Sequence, residues 1–460
     1  MRTDDFGLQI MKGVMIIKMQ IKLSDHFTYK KLLRFIFPSV IMMIFTSIYG
    51  VVDGIFVSNF VGKTPFAALN LIMPFLMLFG GVGFMIGTGG SALVSKTLGE
   101  GDNERANSLF SMLIYITIGL GAVLTVICFL LMRPVAVMLG AEGDMIEYCV
   151  IYGRILVCGL VAFMLQNTFQ SFLVVAEKPQ LGLLLTVAAG VTNIILDAVL
   201  VAWLEMGLAG AALATIISQI VGGVSALIYF IIPGKSNLKL GKAVFDGKAL
   251  LKTCTNGSSE LMTHISMSVV NMLYNFQLMR FSGENGVAAD GVIMYVNFIF
   301  ISAFIGYSIG SAPIVGFNYG AANDAELKNI RKKSTVIIGT GAIFLTLLAE
   351  LLAMPLSSIF VGYDMELYYM TTRAFMIYSL AFLFSGFNIF GSAFFTALNN
   401  GIVSAAISFL RLFVFQALSV LLLPLVFDVD GIWMSIIAAE LVSLAVTSLF
   451  FIKMKKKYKY

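Results

Sequence analysis

Twelve long apolar runs constrain this chain more than any other feature. They fall at 35–61, 66–94, 107–132, 147–175, 180–203, 208–232, 259–281, 287–315, 335–360, 366–396, 402–427 and 431–452. A helix needs about 20 predominantly apolar residues to cross the hydrocarbon of a bilayer. Inside lipid, backbone polar groups find no water, so such a run must satisfy them within itself, as a helix. A soluble domain carries about 25% charged residues; this chain carries 12%, with 59% hydrophobic. The expected fold class is therefore an all-α integral membrane protein with twelve transmembrane helices. Runs beyond 25 residues imply tilt or extension past the hydrocarbon. Turn chemistry separates them, as at Gly99-Glu100-Gly101-Asp102-Asn103, Glu177-Lys178-Pro179, Pro233-Gly234-Lys235-Ser236-Asn237 and Asn399-Asn400-Gly401.

Basic residues set the orientation. With both termini cytoplasmic, the inner segments hold Lys235, Lys239, Lys242, Lys248 and Lys252, then Lys328, Arg331, Lys332 and Lys333, then the tail from Lys453 to Lys459. Outer loops hold few, such as Lys63 and Arg133. The reverse orientation would place nearly all of them outside, against the positive-inside rule. The net charge of +5 thus serves topology and implies no nucleic-acid partner. Residues 1–33 read as a cytoplasmic lead-in, an amphipathic surface helix rather than a signal peptide, because the apolar part is short and no small-residue cleavage site follows. Cys128, Cys149, Cys158 and Cys254 show neither a disulfide framework nor zinc spacing.

The two halves repeat. An offset of 221 sets Phe60-Val61-Gly62 on Phe281-Ser282-Gly283, Ala67-Ala68 on Ala288-Ala289, and Gly210-Ala211 on Gly431-Ile432. Gly90-Ser91-Ala92 meets Gly310-Ser311-Ala312 at 220. Six helices per half keep both halves in one orientation, which makes a parallel repeat about an axis along the membrane normal. The expected organisation is a lead-in over 1–33, an N-lobe over 34–232, a basic linker over 233–258, a C-lobe over 259–452 and a basic tail over 453–460. Such a repeat is the mark of a transporter with two rocking lobes.

One carboxylate interrupts the first run. Asp53 has no Lys or Arg within a helical turn. An ionisable group at bilayer depth costs roughly 2.5–3.5 kcal/mol on insertion scales, so it is read as functional by default. Asp197 lies in the otherwise apolar stretch 192–201, and Asn193, four residues earlier, shares its helix face. Both acids sit toward the outer ends of their helices in one lobe. If they meet, they cannot both ionise cheaply, and one of them can load a proton from outside and release it when the lobe repacks. Oxygen ligands of this kind also suit Na⁺, a hard cation. The plainer readings are an acceptor for backbone freed near Gly54, for Asp53, and an interfacial residue at a helix end, for Asp197.

Four stretches carry a resemblance: Val52-Asp53-Gly54-Ile55-Phe56-Val57 with Asn59 and Gly62; Gly90-Ser91-Ala92-Leu93-Val94-Ser95 leading into Leu98-Gly99-Glu100-Gly101-Asp102; Asn193-Ile194-Ile195-Leu196-Asp197 followed by 206–215; and Gly310-Ser311-Ala312-Pro313 leading into Asn318-Tyr319-Gly320-Ala321. In this order, from about residue 34 to the end, the chain resembles the multidrug and toxic compound extrusion (MATE) family, and within it a MepA-like bacterial group. The resemblance implies a two-lobed, multi-pass antiporter of the bacterial plasma membrane. It would act as a monomer without cofactor, expelling small cationic or amphipathic drugs against inward H⁺, the favoured ion, or Na⁺. It further implies that Asp53, Asn193, Asp197 and Thr215 form the cation-coupling cluster.

Other polar residues in the runs have two readings, cavity lining or interhelical glue. They are Gln166, Asn167 and Gln170 in the fourth run, and Tyr274 and Asn275 in the seventh. At offset 221, Tyr274 stands where Asp53 stands and Val414 where Asn193 stands, so coupling is expected to be asymmetric. Glu260, His264 and Glu440 are the C-lobe acids and base on offer. Arg154, Arg373 and Arg411 lie in or near spans, with Glu350 and Glu440 as candidate counter-charges. The 26 Met and 39 Phe suit a wall that accepts varied ligands. The alternative function is a flippase for lipid-linked precursors, which would need a basic interior. Gly80-Gly81-Val82-Gly83 and Gly87-Thr88-Gly89-Gly90 lack a following Lys-Ser or Lys-Thr, so nucleotide coupling and catalysis are not expected; these glycines read as sites of close helix packing.

Overall fold

The computed structural model describes residues 21–61, 63–232 and 236–460. Most of the expected lead-in (1–20), Gly62 and the turn residues 233–235 lie outside the described residues. The first lobe comprises α1 (Tyr29–Phe60), α2 (Lys63–Gly99), α3 (Asn103–Met138), α4 (Asp144–Cys158), α5 (Leu160–Val175), α6 (Pro179–Leu196) and α7 (Gly207–Ile231). The second comprises α8 (Gly247–Gly320), α9 (Asp324–Val361), α10 (Met365–Ser379), α11 (Phe382–Ala397), α12 (Gly401–Phe409), α13 (Gln416–Leu422) and α14 (Pro424–Tyr458).

Twelve crossings follow from these helices. At 1.5 Å per residue, the 74 residues of α8 would extend about 110 Å, several times the bilayer thickness. The helix instead reverses at Gly283 (φ +62°, ψ −149°), a conformation an L side chain rarely adopts. Its two arms then run side by side, so that Glu260 and Ala312, and Asn271 and Asn297, line one cavity. The pairs α4–α5 and α10–α11 are single crossings bent by 56° and 49°. Large apolar side chains such as Leu130 (67% exposed) and Ile359 (76%) cover the outer surface, as lipid contact requires.

The helices outrun the apolar stretches. α9 starts at Asp324, eleven residues before the run at 335–360, because Asn323 caps it by accepting the Glu326 N–H. Asp246 likewise starts α8 at Gly247, inside the expected linker, by accepting the Lys248 and Ala249 N–H groups. The linker's second half is thus the first turns of a spanning helix. Hydropathy locates the hydrocarbon, whereas caps locate the helix ends.

The lead-in departs from expectation over its described part. Residues 21–28 are an arm clamped between the lobes, not a surface helix. On the first lobe, the Leu23 N–H donates to Glu177 Oε1 (2.8 Å). On the second, the Phe27 N–H donates to Glu326 Oε1 (3.0 Å), His26 Nδ1 lies 2.7 Å from Glu326 Oε2, and Asn318 and Asn329 donate to the Leu23 and Phe27 carbonyls. Leu23 and Phe27 are buried.

The lobes are sealed at the end that carries the basic loops. A Cβ on Gly257 would stand 1.9 Å from Met85 O, one on Gly89 2.1 Å from Thr253 O, one on Gly99 2.0 Å from Phe317 O, and one on Gly320 2.0 Å from Lys96 O. Backbone meets backbone here, and only glycine fits. Offset 221 relates Gly99 to Gly320, so each packs on the other's helix across the pseudo-axis. Close packing is also the role of Gly83 and Gly87, whose missing Cβ atoms would meet the backbone of Met164 and Thr168.

Candidate functional site

Two helix ends bring the first-lobe acids together. Asp53 stands two turns before the end of α1. Asp197 follows α6, where the helix widens into a π segment over Asp197–Trp203. Widened turns of this kind recur at functional sites because they turn a side chain out of α-helical register. The Asp53 and Asp197 carboxyls come within hydrogen-bonding reach of each other. Asp197 is 0% exposed, and neither of its oxygens has a donor, nor does the enclosed Asp53 Oδ1. Two carboxylates have no hydrogen to share; a proton on either converts the contact into an O–H···O bond. Among the described residues, no cation lies in ion-pair contact with either acid.

The surroundings match this need. Asn193 is 2% exposed, and both its amide oxygen and nitrogen lack partners. Tyr152 of α4, fully buried and with its hydroxyl unpartnered, feels both acids electrostatically. Tyr49 and Tyr295 feel Asp53, and a Cβ on Gly54 would stand 3.7 Å from Tyr295 Oη. None of these three tyrosines was anticipated. Tyr152 lies nearly a hundred residues from Asp53, and nothing in its run distinguishes it. Thr215 turns its hydroxyl to the Ala211 carbonyl on its own helix (3.0 Å).

A cavity of about 200 Å³ opens between the lobes and chiefly into the second. Glu260, Asn271, Asn297, Tyr378, Arg411 and Glu440 give it polar groups, and Met267, Met294 and Phe298 apolar walls. None of the five residues offered as cavity lining belongs to it. Gln166 and Gln170 flank a void of about 10 Å³ inside the first lobe, where Gln166 packs against Gly222. Asn167 Nδ2 reaches the Gly80 carbonyl at 3.5 Å. Tyr274 is buried, with its hydroxyl 2.6 Å from Ser435 Oγ, and Asn275 is exposed. Polar residues on a spanning helix can bind a neighbouring helix as readily as line a channel, and sequence does not separate the two. The cavity and the acid pair share a wall: Ser47 of α1 contacts the Phe298 carbonyl at 3.4 Å, one turn from Tyr295.

The second lobe handles charge differently. Arg411 sits in its own π segment, Leu410–Phe415, and meets Glu440 in a doubled ion pair (Nη2–Oε1 2.6 Å, Nε–Oε1 2.8 Å). Asn388 Nδ2 donates to Glu440 Oε2 (2.7 Å), and Thr447 donates to Asn388 Oδ1 (3.0 Å). Glu350 accepts from Ser379 Oγ (2.6 Å), Arg373 pairs with Asp430, and Arg154 lies over the Phe129 ring at 4.9 Å.

Comparison with known proteins places this arrangement in a lineage. The MatE family model matches residues 38–199 and again 261–422, two stretches of equal length offset by 223, close to the 221 of the internal repeat. The multidrug export protein MepA of Staphylococcus aureus is 24% identical over 319 residues, 69% of either chain. MepA of Staphylococcus haemolyticus is 25% identical over 320 residues, again 69% of either chain. In fold, the chain matches an outward-facing multidrug resistance MATE family transporter of the MOP superfamily with a TM-score of 0.89, at 21% identity, over 94% of this chain and 97% of that one. A MATE in a straight conformation also matches at 0.89, and one in a bent conformation at 0.85, both at 21% identity and over 98% of their chains, covering 94% and 95% of this one.

Proposed function

The chain belongs to the MatE family, and from that premise we propose that it exports cationic and amphipathic drugs in exchange for inward protons. It is a multi-pass membrane transporter and not an enzyme. The reading places it in a bacterial plasma membrane with both termini inside. The observation that carries the reading is the Asp53–Asp197 pair, with Asp197 fully buried and Asp53 Oδ1 enclosed, without a counter-charge among the described residues and next to the wall of the cavity.

The mechanism follows from what that pair needs. A proton arriving from outside bonds the two carboxyls to each other. Its departure leaves two like charges, which push α1 and the π segment of α6 apart. α1 touches α8 at Tyr295 and Phe298, so the movement reaches the cavity wall. A drug cation is held in that cavity by Glu260 and by aromatic faces, and a repacked wall releases it. Rocking of the lobes about the glycine seam then exposes the cavity to alternate sides, the state sealed at the basic-loop end being the one that faces outward. The same oxygen set suits Na⁺ less well, because the pair offers few ligands to a hard ion that takes several.

Purified protein in liposomes, given a pH gradient or a Na⁺ gradient, tests the proposal. A pH gradient alone is expected to drive uptake or release of an ethidium-like dye. Dye movement that follows only the Na⁺ gradient, or neither, rejects proton exchange. The flippase reading lacks its basic interior, because Arg411 is matched by Glu440.

A further inference from the structure

One buried acid is used by none of the preceding steps. Asp290 is 5% exposed, and its Oδ1 is enclosed without a hydrogen-bond partner. Among the described residues, no Lys, Arg or His stands in ion-pair contact with it. An ionised carboxylate in that position would be an uncompensated charge in a low-dielectric interior, which folded proteins avoid by neutralising the group or by supplying a cation.

Its place in the fold is specific. Asp290 lies seven residues after the reversal of α8 at Gly283, and Asp53 lies seven residues before the end of α1 at Phe60. The two acids therefore stand at similar depth, toward the same end of the bundle. The repeat puts Tyr274 opposite Asp53, and Asp290 acts electrostatically on that tyrosine and on Tyr378 of α10. Tyr274 is held by Ser435 of α14 and receives Gln416 Nε2 of α13 at 3.4 Å. Gln277, one turn further along α8, donates to the Val420 carbonyl and leaves its own Oε1 without a donor. The other charged groups felt at Tyr378 are Glu440 and Arg411, which are matched to each other. The first arm of α8 thus lacks the acid that α1 has, and the second arm supplies one that acts on the same tyrosine.

We infer that Asp290 is a second proton-loading site, the C-lobe counterpart of Asp53, so that a transport cycle carries a proton in each lobe. The inference rests on the proton-exchange reading for its role in the cycle, but not for its chemistry. As a neutral acid, Asp290 carries no uncompensated charge and gains a hydrogen to donate.

Infrared difference spectra of the full-length protein in lipid nanodiscs, recorded across pH without drug, test the site directly. The protonated-carboxyl C=O band of Asp290 is expected in the wild type and absent in Asp290→Asn, while the Asp53→Asn variant loses a different band. Spectra of wild type and Asp290→Asn that superimpose at every pH overturn the inference, as does a carboxyl response that follows added Na⁺ and not pH. If Asp290→Asn is not monodisperse, Asp290→Glu replaces it: the band must then move in frequency, and an unmoved band overturns the inference. Charge movement in liposomes gives the second readout. Asp290→Asn should translocate one proton fewer per dye, and an unchanged ratio removes Asp290 from the cycle. A lost Asp290 band in a protein whose dye transport ignores pH would reject proton exchange and leave the proton site standing.

Discussion

The two lobes share a backbone plan and treat the polar groups at their π segments in opposite ways. In each, the fifth crossing loosens into a π segment at a charged residue, Asp197 in one and Arg411 in the other. The first lobe leaves Asp197, Asp53 and Asn193 without partners. The second closes Arg411, Glu440, Asn388 and Thr447 into a network in which each has a partner. A satisfied network specifies a structure, and an unsatisfied one waits for a ligand. The same architectural device holds a closed network in one lobe and unpartnered acids in the other.

The sharpest way to break this comparison is to remove charge from each side. Asp53→Asn or Asp197→Asn should reduce pH-driven dye transport to the level of empty liposomes while leaving thermal stability unchanged or raised. Retained transport with an unaltered pH profile would remove the first lobe's acids from the coupling. Arg411→Ala should instead cost about 3–5 kcal/mol of stability, because it leaves Glu440 charged and buried. Melting temperature in lipid reads this loss, and Arg411→Met combined with Glu440→Leu should recover much of it. A fall in stability for Asp53→Asn equal to that for Arg411→Ala would erase the distinction.

The seam is where the lobes should behave alike. Gly99→Ala and Gly320→Ala each force a carbonyl away across the pseudo-axis. They should cost similar amounts, about 1–3 kcal/mol each by overpacking, and should open the basic-loop end, as read by spin-label distances across it. Tyr274→Phe probes a smaller asymmetry. It removes the bond to Ser435 at a cost of about 1 kcal/mol and should leave the pH profile of transport in place.

The smallest effect concerns Glu177, the arm's anchor on the first lobe. Burial holds its carboxyl above the usual range, against the lowering effect of the Leu23 N–H. The folded protein thus binds this proton more tightly than the unfolded chain. The group's contribution is most favourable below its unfolded value and is lost as pH rises through the folded one. Glu177→Gln should flatten that part of the stability–pH curve and raise neutral stability by under about 1 kcal/mol. An unchanged slope would show that Glu177 does not carry it.

Much of this was written in the chain, and the reasons are physical. Crossings are legible because lipid permits only helices of a certain length, and the repeat because each lobe must present the same faces to its twin. Asp53 and Asp197 stand out because acids are rare at that depth. Asp290 carries the same signal, a lone acid in the run 287–315. What sequence could not show is pairing across helices. Arg411 and Glu440 lie 29 residues apart on different helices, and Tyr152 meets the acids only through packing. The polar residues of α5 gave no sign of whether a cavity or a neighbouring helix would meet them. Helix ends were missed because caps are set by single side chains outside the apolar runs.

The arm at residues 21–28 has a consequence for biosynthesis. Its partners at Glu326 and Asn329 lie about 300 residues later in the chain. At about 5–20 residues per second, the ribosome makes them roughly 15–60 s after the arm has emerged. The first lobe can therefore insert and pack with its leading segment held at Glu177 alone. Its second fastening comes from the lobe that is made last, and that docking marks the moment at which both halves are present.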